Sequence, residues 1–208
     1  MKKPKYQYKA EDNFEFFEFY SEGKKGIIKK IVQYQKTSDE NVYNLAFGDY
    51  DERSNSIDDM SITNNGDSSK VLATVASTVY AFIEKYPNAS IIATGSTSVR
   101  TRLYRMGITN NLDEISEDFA IFGYTTDEQW VKFEIGDDYE AFLVTKKTTF
   151  SMTTSDTEKL VDKLNKSKVP IIPIDKRLEK HRGKIFFPEK LARANEILAK
   201  SGIPKLKK

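Results

Sequence analysis

Cysteine is absent from this chain of 208 residues, and histidine occurs once, at position 181. The first absence excludes disulfides, thiol nucleophiles and cysteine-ligated metal. The second excludes a Ser-His-Asp or Cys-His catalytic group in the first 180 residues. No run of eighteen apolar residues occurs, so no membrane-spanning helix is expected. The start, Met1-Lys2-Lys3-Pro4-Lys5-Tyr6, is basic, but charged and aromatic residues follow it in place of an apolar core. That is not the pattern of a secretory signal, and a cytoplasmic protein without membrane contact is expected. The length suits one domain with an appendage, large enough to bury a core without covalent staples.

What the chain does hold is an uneven distribution of charge. The net charge is +2. Residues 1–148 carry 18 basic and 24 acidic side chains, a net of −6, whereas residues 149–208 carry 15 and 7, a net of +8. Two parts are therefore expected, an acidic body (1–148) and a basic, proline-containing helical extension (149–208). Such asymmetry suits a segment that meets its own acidic body, a second copy, another protein or nucleic acid.

The body reads as α+β, in the order ββββ-α-β-α-βββ, with a mostly antiparallel sheet. Strands are predicted at Phe14–Tyr20, Ile27–Gln35, Val42–Tyr50 and Ile57–Thr63, forming an antiparallel meander. Both sides of Ile27–Gln35 carry apolar residues, so its facing is ambiguous. Val71, Leu72, Val75, Val79, Phe82, Ile83 and Tyr86 recur at helical spacing and predict a helix from Ser69 to Tyr86. Ala89–Thr94 is a buried strand, Val99–Met106 a helix closed by Gly107, and Leu112–Ile115 a linker with helical tendency. Strands follow at Phe119–Tyr124, Trp130–Ile135 and Tyr139–Thr145. In the extension, a helix is predicted at Thr157–Leu164, extended chain at Val169–Ile174, and a helix at Pro188–Ser201 with proline near its first position and Gly202 past its end. That last helix carries a narrow stripe of Leu191, Ala194, Ile197 and Leu198. The extension cannot form a core of its own.

Two loops at helix starts are candidate anion sites, because free backbone amides and a glycine allow close approach of a negative group. One comprises Asn64, Asn65, Gly66 and Ser68, with Asp67 at the helix start. The other comprises Gly95, Ser96 and Thr97 and continues into Arg100, Arg102 and Tyr104. Three of the four arginines in residues 1–148 (Arg100, Arg102, Arg105) lie within six residues, and guanidinium groups grip phosphate or carboxylate in a fork. The acidic group Asp49, Asp51, Glu52, Asp58, Asp59 and Asp67 lacks the spacing of a known metal loop, and no metal is expected. His181, within Glu179-Lys180-His181-Arg182, reads as a surface residue.

The blocks Asn44-Leu45-Ala46-Phe47-Gly48-Asp49, Ile57-Asp58-Asp59, Asn64-Asn65-Gly66-Asp67, Lys70–Ala76, Gly95-Ser96-Thr97 and Arg100–Tyr104 resemble a bacterial domain family of unknown function, mainly of Bacteroidota, over residues 10–147. A weaker, topological resemblance is to the GNAT acyltransferase fold, through its meander, following helix and a pattern like Leu103-Tyr104-Arg105-Met106-Gly107-Ile108. That resemblance implies an acyl-CoA pyrophosphate at the first helix start, where this chain lacks the Arg/Gln-x-x-Gly-x-Gly loop. Three functions are thus expected from the sequence. The first is a toxin–antitoxin or defence-type interaction module with a basic docking tail. The second is a GNAT-like or degenerate acyl-CoA or phosphate-ligand binder. The third is a nucleic-acid binder through the tail.

Overall fold

A computed structural model describes residues 3–51, 56–58, 64–147 and 172–204. The strands are β1 (Tyr8–Ala10), β2 (Phe16–Gly23), β3 (Gly26–Lys36), β4 (Val42–Asp51), β5 (Ser56–Asp58), β6 (Ser90–Thr94), β7 (Phe119–Tyr124), β8 (Trp130–Lys132) and β9 (Ala141–Lys146). The helices are α1 (Ser68–Lys85), α2 (Ser98–Asn110), α3 (Leu112–Asp118) and α4 (Pro188–Ser201), with a 3-10 helix at Lys176–His181. The strands form one sheet in the order β1-β2-β3-β4-β6-β9-β7-β8, with β5 beside β4. β4 and β6 run parallel, joined through α1, and the other strand pairs are antiparallel. The fold is α+β, with the meander expected from the sequence.

Alternation along the strands places a core on each face of the sheet. On one face Phe17, Phe19, Val32, Tyr34, Tyr43, Leu45, Phe47, Ile91 and Phe142 pack with residues of α1, α2 and α3. On the other, Val42, Ile92, Tyr124 and Ala141 meet Ala194, Ile197 and Leu198 of α4. Phe16, Ile31 and Ala46 meet Leu178 and Phe187. The two-sided apolar pattern of β3 thus has a physical cause: both its faces are covered. The sheet lies between a helical layer and the C-terminal segment.

Polar contacts fix that segment in register. The Gln33 amide donates to Lys184 O (2.6 Å) and accepts from Phe186 N (3.1 Å). Ile174 forms a parallel bridge with Ala10. Arg182 donates to the buried carboxylate of Glu11 at 3.1 Å. Arg193 pairs with Glu140 (3.0 Å) and Lys200 with Glu128 (2.8 Å), so basic groups of the segment meet acids of the body. The predicted helix Thr157–Leu164, the end of Ile57–Thr63 and residues 169–171 lie outside the described residues.

Several elements differ from the sequence reading. β1 is an added strand, too short at three residues for periodicity to reveal. α2 does not close at Gly107 but continues to Asn110. Gly107 is buried inside it against Leu72 of α1, where a Cβ would lie at an ordinary contact distance of 3.5 Å from Leu72 Cδ2. Leu112–Ile115 belongs to the helix α3. His181 is not a surface residue: it is 2% exposed and stacks on Phe16 at 4.7 Å between ring centroids. The 3-10 helix places residues three apart on one side, so His181 shares the buried side of Leu178. Among the described residues, no helix is long and apolar enough to cross a membrane, and no cluster of three or more His, Asp or Glu could hold a metal ion.

Candidate ligand site

β4 and β6 pair only through Val42–Asn44 and Ser90–Ile92, and beyond that register they part. Side chains take the carbonyls of β4 past this point. Tyr104 donates its hydroxyl to Leu45 O (3.4 Å) and Arg100 Nη1 donates to Phe47 O (3.3 Å). Lys190 Nζ of α4 reaches the same Phe47 oxygen at 3.5 Å. Arg100 and Lys190 are 4% and 1% exposed. Residues 100 and 104 are one helical turn apart and share a face. That face turns inward, and Arg100 and Tyr104 therefore serve the strand junction and leave the adjoining cleft to other residues of α2.

Arg102 and Arg105, three residues apart, take the outward face. They line an open cleft of about 570 Å³ with Gly95, Ser96, Thr97 and Ser98 on one wall and Glu189, Lys190 and Arg193 on the other. Asp138, Tyr139 and Glu140, just before β9, complete it. The α2 wall is firmly built. Thr97 caps the helix by accepting from Arg100 N (3.3 Å), and its carbonyl accepts from Thr101 N (2.9 Å) and Thr101 Oγ1 (3.2 Å). A Cβ on Gly95 would lie 2.2 Å from Thr101 N and 2.4 Å from its hydroxyl. Gly95→Ala is therefore expected to displace the turn and cost about 1–3 kcal/mol. A thermal melt that matches the unsubstituted chain would show that the turn yields freely.

The charges of the cleft are arranged in pairs. Arg105 is bound to Asp138 and also donates to Asp137 O at 2.8 Å. Arg193 is bound to Glu140 at 3.0 Å. Arg102 is exposed and has no ion-pair partner among the described residues. Burial holds the Tyr139 hydroxyl above its usual pKa, and it accepts from Glu134 N at 3.0 Å.

The other predicted loop is occupied by its own chain. Asn65 is buried, donates to Ser21 Oγ (3.0 Å) and Gly26 O (3.2 Å), and accepts from Lys25 N (2.8 Å). It locks the β2–β3 turn. Asp67 Oδ2 accepts from Tyr6 OH (2.7 Å) and Ser21 Oγ (2.6 Å), placing a carboxylate beside the start of α1. Asn64, Gly66 and Ser68 are exposed beside it and do not line the cleft. Of the ten predicted residues the cleft gathers Gly95, Ser96, Thr97 and Arg102. It adds residues that the sequence reading did not select: Asp138, Tyr139, Glu140, Glu189, Lys190 and Arg193. Lys190 was findable, because one turn back from Ala194 along the apolar stripe of α4 lies a lysine.

These features define an α+β domain with a charged cleft between a helix of its body and a helix of its C-terminal segment. The chain belongs to DUF6934, a family of unknown function whose profile matches residues 2–147. No curated protein and no solved structure matches it. The match ends at the close of β9, so the α4 wall of the cleft lies beyond it.

Proposed function

We propose that the protein binds a small anionic ligand, carrying phosphate or carboxylate, in the cleft at the start of α2. The observation that carries this reading is Arg102. It stands at the mouth of a cleft lined by a capped helix start and three small hydroxyl residues, while its neighbours Arg105 and Arg193 are already held by acids. Helix-start amides and an uncommitted guanidinium together suit an anion. Calorimetric titration with inorganic phosphate tests it. Arg102→Ala is expected to weaken binding roughly tenfold, the scale of one charge-assisted hydrogen bond. No heat at millimolar phosphate, or equal affinity in the variant, would refute the reading.

The acyl-CoA alternative draws support from the parallel β4–β6 pair with α1 between, but the start of α1 carries Asp67 where a pyrophosphate would sit. The interaction-module and nucleic-acid readings both rest on the basic tail. Of its described cations, Arg182, Arg193 and Lys200 pair with acids of the body and Lys190 is buried against it, while Lys176, Lys180 and Lys184 are exposed. The charge division therefore has an internal use, in holding the segment to the body.

A further inference from the structure

Another cavity, of about 70 Å³, lies on the inward side of α2 and shares no lining residue with the charged cleft. Strands β4, β6, β7 and β9 form its floor. Leu72, Val75, Ala76 and Val79 of α1 form one wall, and Gly107 and Ile108 of α2 form the other. Ala76, Val79 and Ile108 are half-buried, which puts the opening between the two helices. The lining is apolar almost throughout. Its two tyrosine hydroxyls are held by carbonyls, Tyr104 donating to Leu45 O (3.4 Å) and Tyr80 to Glu114 O (3.2 Å). Water there would lack the polar partners that hold it in an interior. Gly107 enlarges this space without a local need for glycine. Its backbone does not take the left-handed φ that favours glycine, and a Cβ would meet Leu72 Cδ2 at an ordinary 3.5 Å. Glycine inside a helix is less favourable than alanine. What it leaves in return is room in an apolar cavity.

We propose that this cavity is a binding site for a short aliphatic group. Its 70 Å³ is about half of the roughly 150 Å³ that admits benzene in an engineered apolar cavity. The occupant is therefore smaller than an aromatic ring. It carries no charge or hydrogen-bonding group into the interior, where neither would find a partner. Because the cavity opens between α1 and α2, the group can be the end of a larger molecule whose polar part stays in water. The driving force is the removal of apolar surface from water. The site is independent of the anion cleft. α2 sends Arg102 and Arg105 to the cleft, and Tyr104, Gly107 and Ile108 to the cavity, so each site stands or falls by itself.

Xenon and propane are the probes, dissolved under pressure and followed by methyl NMR on the full chain. Shifts are expected at Leu72, Val75, Val79 and Ile108, while Ile197 and Leu198 on the opposite face of the sheet stay unmoved. Ala76→Leu fills the cavity from α1 and is expected to weaken binding of both probes at least tenfold, with a thermal melt verifying its fold. Gly107→Ala, whose methyl has room, is expected to weaken binding severalfold at a Tm no lower than that of the unsubstituted chain. It keeps the test decisive if the leucine variant does not fold. Absence of these shifts, shifts spread over both faces of the sheet, or shifts at full strength in the folded variants would overturn the site.

Discussion

A chain ending at Lys147 is expected to lose cooperative folding. The cut falls where the family match ends, yet it uncovers one whole face of the sheet. Phe16, Ile31, Ala46, Val42, Ile92, Tyr124 and Ala141 would lose the covering of Leu178, Phe187, Ala194, Ile197 and Leu198. Burial of the four larger covering side chains contributes about 1.5–3 kcal/mol each. Together that is of the same order as the whole stability of a typical domain, about 5–15 kcal/mol. The Gln33 amide would also lose both its partners in the segment. Size-exclusion chromatography, a thermal melt and binding of a hydrophobic dye check this. A shortened chain that elutes as a monomer and melts in one sharp transition would show that the body is self-sufficient.

Acid is expected to loosen the same layer through His181. Its imidazole is enclosed by Phe16, Phe186 and Tyr50, and Nδ1 has no hydrogen-bond partner among the described residues. Burial, and then Lys180, Lys184 and Lys29, lower its pKa to about 4 against the opposing pull of Glu18. The folded state therefore binds fewer protons than the unfolded state between about pH 4 and the ordinary value of 6.5. Stability is full above pH 6.5 and declines as pH falls toward 4. The shift corresponds to a loss on the order of 3 kcal/mol, or roughly 6–12 °C in Tm for a chain of this size. His181→Phe keeps a flat ring beside Phe16 and removes the titration. Its Tm should fall less between pH 7 and pH 4 than that of the unsubstituted chain, by that margin. Parallel Tm-against-pH curves for the two proteins would eliminate His181 as the cause.

Element types were legible where local chemistry decides them. The spacing from Val71 to Ile83 marked α1, and Pro188 with Gly202 bounded α4 because proline suits a first turn and glycine tolerates the positive φ of 63° after the last. What the sequence hid was tertiary in origin. Gly107 reads as a stop but sits in the α1–α2 contact, which no property of α2 alone reveals. His181 is flanked by charges, and only the threefold geometry of a 3-10 helix turns it inward while Lys180 and Arg182 stay out. In the site, the Gly95–Thr97 turn and Arg102 were visible as a small-residue helix start with clustered arginines. The division of labour among the arginines was not. It follows from the helical phase of α2 relative to β4, which sends Arg100 to the Phe47 carbonyl and Arg102 to the cleft. The opposite wall, from α4, is brought there by tertiary packing and by ion pairs between residues distant in the sequence.

The late position of the covering layer in the chain has a consequence for biosynthesis. Strand β9 ends at Lys146, whereas α4 ends at Ser201. At about 5–20 residues per second, several seconds separate completion of the sheet from completion of its cover. During that interval the nascent sheet presents Phe16, Ile31 and Ile92 to whatever surrounds the ribosome. A chaperone that recognises extended apolar surface would engage the chain in that window, and the arrival of α4 would end the engagement.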